Sequence, residues 1–555
     1  MNQLQNKSFE EALVRYREKW DKIKDPCVVY DFPIPDVSCK ELFLKRVSEH
    51  PDKTYVISRG AKMSYVECNT LAKIANGFLA KGLKKGDRVI TYVSNGFEFV
   101  ALAHACFKTG IIMVNTNPRS TADEIIRRIK DCTPKMVITD SDGADAVVQA
   151  LKDDRAGVEH MVFCPALEKE NRWDELGAWE SIISDDATEP DIAIEPEDIA
   201  ILQYTGGTTG VLKGCCQTNH AFVAKAMAQV QYFRPFLNDN DYENYIVIIA
   251  LGMSHAFGFG QGIVVNLTMG GTIFFAESLD EILRVIEKYR PTVWPSVPLW
   301  MKLIATHEEY QKYDISSLKV ITCGSAPLPV DVIRRVEELT GAVITEGYGM
   351  TETVNTITIN GHDHRKVGTV GVVNPNIEYL IVDQETGTEV VEDGQPGEII
   401  CRGECVMHEY WNNPEETAKM LRNGWLYTGD IGRIDEEGFL IICDRKKDLI
   451  ITGGFNVFPS ELEAVAITAE NVADAIAIGV PNERRGEVPA IFVQPIAGKT
   501  VDLNEVERVC REKLSRFKVP KEYYVMDMLP KTKNRKPDRK MVKKLYLEHA
   551  FDDQK

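Results

Sequence analysis

The segment Tyr204-Thr-Gly-Gly-Thr-Thr-Gly-Val-Leu-Lys-Gly214 concentrates groups that suit a phosphate. Its glycines let the backbone turn tightly, so that N–H groups can converge on one anion. Thr205, Thr208 and Thr209 add hydroxyl donors, and Lys213 adds a full positive charge. The spacing is not that of a Walker A loop, G-x-x-x-x-G-K-[ST]. Gly498-Lys499-Thr500 also fails that pattern, because Val493 stands where its first glycine belongs. A plain glycine turn is the bland alternative, and the density of donors argues against it. Further on, Thr351 and Glu352 follow Gly347-Tyr348-Gly349-Met350, pairing a hydroxyl with a carboxylate suited to a hard cation such as Mg²⁺. Asp430 closes Tyr427-Thr-Gly-Asp and can accept hydrogen bonds from sugar hydroxyls. The segment from Lys513 to Lys544 carries twelve basic and three acidic residues in a chain of net charge -18, which fits either a solvated face or a polyanionic ligand.

Elements that could hold these groups follow from the apolar patterning. Short apolar runs at Arg88–Val93, Met136–Thr139, Ala200–Gln203, Tyr245–Ala250, Thr272–Phe275 and Lys319–Thr322 alternate with amphipathic segments such as Leu71–Ala80 and Leu279–Tyr289. That alternation predicts α/β layers with buried strands through the first 340 residues or so. From about residue 365 to 443 the texture becomes short strands between Gly, Asp and Glu turns, as in a small β-barrel or sandwich. From Asp444 onward it predicts a compact α+β domain, with strands at Ala475–Val480 and Ala490–Pro495 and a helix at Glu505–Phe517. Phe9, Leu13, Tyr16, Trp20 and Ile23 recur at helical spacing and predict an amphipathic helix packed on the body of the protein.

Composition removes other classes. With 555 residues, 44% of them hydrophobic, the chain can build several cored domains. Its acidity disfavours nucleic acid as a main partner. Thirteen cysteines with no C-x-x-C pair point to free thiols and a cytoplasmic setting. Cys401, Cys405 and His408 lack a fourth ligand at zinc spacing. No signal peptide or lipidation motif is evident. The stretch from Tyr245 to Ala276 lacks charge, but its six glycines and several polar residues predict strand, loop, helix and strand, not a membrane span.

Taken together in order, these segments resemble the AMP-forming acyl-CoA synthetases, whose superfamily includes peptide-synthetase adenylation domains and beetle luciferases. The Gly/Thr loop is similar to the family pattern [YF]-T-S-G-T-T-G-x-P-K-G, with Gly206 for Ser and Leu212 for Pro. The resemblance implies a phosphate loop of Thr205, Gly206, Gly207, Thr208, Thr209, Gly210 and Lys213. It implies an adenine-side loop at Gly324, Ser325, Ala326 and Pro327, and Tyr348 stacked on adenine. By the same resemblance Thr351 touches the α-phosphate, Glu352 holds Mg²⁺, Asp430 holds ribose, and Arg445 contacts ribose or phosphate. Lys447 falls at the family's hinge, while Gly453, Gly454 and Phe455 approach the CoA thiol arm. Lys536 takes the place of the lysine that promotes adenylation, with Arg535 where the family has Gly and with Lys531 and Lys533 as neighbours. His255 falls where relatives line the acyl pocket, and Met253, Phe257, Trp294, Val297, Pro298, Cys323 and Met350 are further lining candidates. The absence of acid between Tyr245 and Ala276 disfavours an amino acid substrate.

The implied protein is an ATP-dependent carboxylate–CoA ligase with ATP/AMP, Mg²⁺ and coenzyme A as its ligands. Its substrate is expected to be an apolar medium-chain, alicyclic or aromatic acid. Its implied domains are residues 1–443 and 449–555, joined by a hinge at 444–448. A homodimer is compatible with this reading. The alternatives are an adenylating enzyme that loads a carrier protein and a noncatalytic nucleotide-binding regulator.

Overall fold

The computed structural model describes residues 2–71, 73–152, 155–205, 212–354, 356–532, 536–551 and 554, with backbone alone for residues 2–7. Its strands form four sheets. One has six strands in the order His160–Phe163, Met136–Thr139, Arg88–Tyr92, Ile112–Asn115, Ile199–Thr205 and Lys213–Thr218. The first five run parallel and the last antiparallel. A nine-stranded sheet carries a parallel centre of Val343–Tyr348, Val320–Cys323, Val293–Ser296, Ile246–Ile249, Thr272–Phe275 and Thr54–Ser58, with antiparallel strands at both edges. These parallel strands are almost wholly buried, as expected when helices cover both faces. The third sheet comprises Ile377–Val382, Gly397–Gly403, Trp425–Ile434, Leu421–Arg422 and Leu440–Arg445. The fourth pairs Phe455–Val457, Ile450–Thr452, Gly486–Pro495 and Val472–Asn482, with Glu522–Val525 alongside Gly486–Pro495. Helix Leu503–Lys513 buries Val506, Val509 and Cys510.

The expected mixed α/β architecture, with a smaller α+β part toward the C-terminus, is the one observed. Helix Leu279–Tyr289 illustrates its local logic. Ser278 caps it by accepting from the Glu281 N–H, and Ile282, Leu283, Val285 and Ile286 form one buried stripe. The charge-free stretch resolves into strand Ile246–Ile249, helix Ala256–Phe259, a π-helical turn Gly260–Val265, helix Asn266–Met269 and strand Thr272–Phe275. Among the described residues no helix is long and apolar enough to cross a membrane. In helix Asn2–Trp20, Tyr16 and Trp20 are buried, and the Trp20 ring lies 4.9 Å from that of Tyr379.

The chain divides into two compact units. One comprises Met1–Ala12, Leu380–Ile400 and Tyr427–Lys555, and the other Leu13–Tyr379 and Cys401–Leu426. The larger unit holds the six- and nine-stranded sheets and their apolar cores. The smaller holds the fourth sheet and its own cores, one centred on Ile491 and Val506, the other on Phe492 and Tyr524.

Candidate active site

In the larger unit, the residues singled out from sequence follow the carboxyl ends of parallel strands. Thr205 ends Ile199–Thr205, His255 follows Ile246–Ile249, Gly324 follows Val320–Cys323, and Thr351 and Glu352 follow Val343–Tyr348. In open α/β sheets this is the side on which ligands bind. Thr205 and Lys213 are register partners across an antiparallel pair, so the Gly/Thr segment is closed at its base by strand pairing. Gly206, Gly207, Thr208, Thr209 and Gly210 lie outside the described residues.

Lys213 is not isolated. Its Nζ lies 2.6 Å from Glu416 Oε2 and 5.2 Å from the centroid of the Tyr410 ring. Hydrogen bonds from Lys213 and then Lys419 hold the Glu416 carboxyl below its usual range. The Tyr410 hydroxyl donates to Glu352 Oε1 at 2.6 Å, and both side chains are buried. Burial first, then the Glu352 carboxylate, pushes the Tyr410 phenol far above its ordinary value, so it stays a donor. Gln217 Nε2 donates to the Thr351 carbonyl at 2.8 Å. One framework therefore joins Lys213, Tyr410, Glu352 and Thr351.

The segment Gly324–Pro327 is locally strained. Ser325 adopts φ +73°, a left-handed conformation that is uncommon outside glycine. A Cβ on Gly324 would sit 3.6 Å from the Gly347 carbonyl and 3.9 Å from the Phe257 ring, which places three of the predicted segments side by side. Behind them, Glu346 Oε1 accepts from the Leu328 N–H at 3.2 Å, and burial pushes its carboxyl up to about 7. Ser325, Ala326 and Pro327 are exposed, and Tyr348 is half-buried.

His255 is exposed, not a core histidine. It caps helix Ala256–Phe259, its Nδ1 accepting from the Phe257 N–H at 3.3 Å. The loop that carries it is fixed by three amide side chains. Asn95 Nδ2 donates to the Leu251 carbonyl at 2.8 Å, Asn115 Nδ2 to the Met253 carbonyl at 2.7 Å, and Gln203 Nε2 to the Ser254 carbonyl at 2.9 Å. Sequence reasoning missed all three. A polar residue at the carboxyl end of an otherwise apolar run was the available signal at Asn115 and Gln203. Of the lining candidates, Met253, Trp294 and Cys323 are buried within apolar cores, while Phe257, Val297, Pro298 and Met350 are half-buried. His408 pairs with Glu197 at 3.0 Å, and among the described residues no group of three His, Cys, Asp or Glu could hold a metal ion.

The smaller unit gathers a second set. Asp430 and Arg445 are cross-strand partners in the third sheet, with Arg445 Nε 3.2 Å from Asp430 Oδ1. Lys447 and Lys536 both lie within the electrostatic reach of this pair. Dense surroundings first, then Arg445, hold each amine below the ordinary lysine value; Asp430 pulls each upward, as Asp448 does for Lys447. Both lysines nevertheless keep exposed surface. The Lys536 N–H donates to Thr532 Oγ1 at 3.2 Å. Lys531 instead pairs with Asp474 at 3.0 Å, and Lys533 and Arg535 lie outside the described residues. Three cations thus lie within electrostatic reach of Asp430, one of them paired with it directly.

Gly453 and Gly454 have φ +58° and +84° and join strands Ile450–Thr452 and Phe455–Val457, with Thr452 and Phe455 as register partners. Positive φ at both central residues is what a tight two-residue hairpin of the I′ kind requires. Their glycine identity therefore has a backbone cause. Phe455 is 56% exposed and its ring lies 4.8 Å from that of Phe517.

The family model for the AMP-binding enzyme matches residues 43–411, and that for the AMP-binding enzyme C-terminal domain matches residues 461–536. The chain belongs to the AMP-binding enzyme family and to its class of AMP-forming acid–thiol ligases. A long-chain-fatty-acid–CoA ligase of Bacillus subtilis is 32% identical over 532 residues, covering 91% of this chain and 94% of its own. A feruloyl-CoA synthase of an Amycolatopsis species is 31% identical, covering 88% and 95%. Among solved structures, ATP-bound MatB from Rhodopseudomonas palustris has a TM-score of 0.82 at 29% identity, over 92% of this chain and 99% of its own. o-Succinylbenzoate CoA synthetase (MenE) from Bacillus subtilis, in complex with its acyl-adenylate intermediate, has a TM-score of 0.79 at 25% identity, over 92% and 98%.

Proposed function

We propose that this ligase converts an apolar medium-chain, alicyclic or aromatic carboxylic acid to its CoA thioester in two half-reactions. First the carboxylate attacks the α-phosphorus of ATP and pyrophosphate leaves. Then the CoA thiol attacks the acyl carbonyl and AMP leaves. The observation that carries this reading is the Arg445–Asp430 pair, with Lys447 and Lys536 within its electrostatic reach. Residues far apart in sequence there supply both the hydrogen-bond acceptor a ribose needs and the positive charge a phosphoryl transfer needs.

Phosphoryl transfer asks for positioning and charge neutralisation more than for a protein nucleophile. Lys536 supplies an ammonium to the charge that develops on the α-phosphate. Asp430 accepts from the ribose hydroxyls, and Arg445 orients it while contacting ribose or phosphate. Lys213, Thr205 and the Gly/Thr segment hold the departing pyrophosphate, and Thr351 donates to the α-phosphate. Tyr348 and Gly324–Pro327 bracket adenine. His255, on its amide-pinned loop, lines the approach of the acid. Glu352 is the residue that would hold Mg²⁺; a single buried carboxylate oriented by Tyr410 fits a cation that takes its other ligands from phosphates and water. Mg²⁺, when bound, supplies positive charge to the phosphate oxygens. For thiolysis, residues 449–555 turn about a hinge at 444–448 relative to residues 1–443, withdrawing Lys536 and bringing Gly453, Gly454 and Phe455 toward the thiol arm.

The test is pyrophosphate release from ATP across a panel of carboxylic acids, with and without CoA, with products identified by mass. Acid-dependent release that yields acyl-CoA and AMP is expected. Acyl-AMP retained despite CoA would point to a carrier protein, and ATP binding without turnover would point to a regulator. Lys536→Ala should cripple acyl-adenylate formation, leaving a small residual rate, while sparing thiolysis of supplied acyl-adenylate. Equal loss of both would refute the role given to Lys536.

A further inference from the structure

Lys225 lies in helix Asn219–Phe233, and only 1% of its surface is exposed. An ammonium that deep is costly unless something compensates its charge. Its Nζ reaches two neutral acceptors, Gln229 Oε1 at 3.0 Å and Thr356 Oγ1 at 2.9 Å. Among the described residues it forms no ion pair. Burial pulls its amine down to about 8, and the one group opposing this is the Cys405 thiol. The surroundings are polar and incompletely satisfied. Gln261 Nε2 donates to Gln229 Oε1 at 3.2 Å, whereas Gln229 Nε2 and Gln261 Oε1 are buried without a partner among the described residues. Buried polar atoms left in this condition are rare and call for a reason.

The position of this cluster supplies the reason. Gln261 belongs to the π-helical turn Gly260–Val265, which continues the short helix capped by His255. Such turns are rare and are frequent at functional sites. The Phe222 and Phe259 rings, 5.6 Å apart, pack the lysine's helix against the same segment. On the other side, Thr356 lies just beyond the short helix Thr351–Thr353 that carries Glu352. The lysine's helix begins directly after Gln217, which holds Thr351, and at 1.5 Å per residue Lys225 lies ~9 Å along it. The cluster thus touches the π-helical turn that continues the His255 helix on one side and the segment just beyond the Glu352 helix on the other.

We propose that Lys225, with Gln229 and Gln261, receives a second carboxylate at the far end of the acid substrate, so that the preferred substrates have an apolar body and an anionic tip. This rests on the carboxylate–CoA ligase reading and names the substrate class of that same site. An incoming carboxylate supplies the counter-charge that the lysine lacks and accepts from the unpaired Gln229 amide. The recognition is charge-assisted and buried, which makes it strongly discriminating.

The test is ATP–pyrophosphate exchange with matched acids, octanoate against octanedioate and 4-ethylbenzoate against 4-(carboxymethyl)benzoate. In the wild type the diacid of at least one pair should have a kcat/KM at least tenfold above its monoacid. Lys225→Met should lower that diacid-to-monoacid ratio at least a hundredfold, and Lys225→Arg should restore part of it. Exchange that proceeds with monoacids and shows no diacid preference in either pair would overturn the inference and leave the ligase reading standing. A diacid preference that survives Lys225→Met would overturn it equally. Absence of exchange with every acid in a broad panel, with ATP shown to bind, would overturn both. If Lys225→Met does not fold, the wild-type ratio and Lys225→Gln decide.

Discussion

Asp430 and Arg445 act on Lys536 with opposite sign, so replacing them singly should move one titration in opposite directions. Burial and Arg445 hold the Lys536 amine below the ordinary lysine value, and Asp430 raises it. In the proposed mechanism adenylation needs the ammonium, so its rate should fall as pH rises through the Lys536 pKa. Asp430→Asn removes an attraction, lowers that pKa further and should bring the alkaline limb to lower pH. Arg445→Gln removes a repulsion and should carry the limb to higher pH. Unit charges ~5–10 Å apart at an effective dielectric near 40 interact by about 0.8–1.7 kcal/mol, or about half to one pH unit. The Asp430 side chain is 9% exposed and that of Arg445 48%. Solvent screening therefore leaves about one unit for the first variant and about half a unit for the second. The assay is the pH profile of ATP–pyrophosphate exchange at saturating ATP, since the proposed ribose contacts change in both variants. Adding Lys536→Met to each should flatten the limb, and thiolysis of supplied acyl-adenylate should keep its profile. Shifts in the same direction, or no shift in either, would refute the placement of Lys536 beside this pair.

Two further outcomes test the framework around the site. Glu346 has its pKa raised from 4.5 to about 7, so its contribution to stability is complete below the unfolded value and is lost as pH rises through about 7. Glu346→Gln removes that dependence. In denaturant melts from pH 5 to 8 the variant should gain on the wild type by about 1–2 kcal/mol after discounting for partial exposure, and a flat or falling difference would contradict the burial argument. Gly454→Ala meets no atom within 4 Å at φ +84°, so its cost is backbone alone, about 1–2 kcal/mol, with Gly454→Asn costing less. Urea melts followed in the smaller unit should report this order, and an alanine variant as stable as the wild type would overturn the turn assignment.

Much of the fold was legible because the parallel strands are buried on both faces and stand out as short apolar runs, as at Met136–Thr139 and Thr272–Phe275. The expected helix Leu279–Tyr289 is observed over those residues because its cap, its stripe and its left-handed exit at Arg290 are all local features. The site residues were legible one at a time, while their partners were not. Lys213 invited a reading as a phosphate ligand, but its pairing with Glu416 depends on a contact about two hundred residues away. Nothing in the sequence singles out Lys225, because spacing does not reveal that a helix is buried on every side. The amides of Asn95, Asn115 and Gln203 act through single side chains, which leave no periodic trace. The glycines at 453 and 454 were noted for approach to a ligand, and the structure adds a hairpin that needs them in any case.

The smaller unit draws its residues from Met1–Ala12, Leu380–Ile400 and Tyr427–Lys555, so its first segment is made long before the rest. At roughly 5–20 residues per second, about 20–75 s of synthesis separates Phe9 from the start of the next segment of its unit. Phe9 is 2% exposed in the finished protein. On the ribosome it is an apolar side chain waiting for its partners while the parallel sheets of the larger unit assemble. The order of manufacture therefore runs against the order of folding, and the beginning of the chain is among the last parts to find its place.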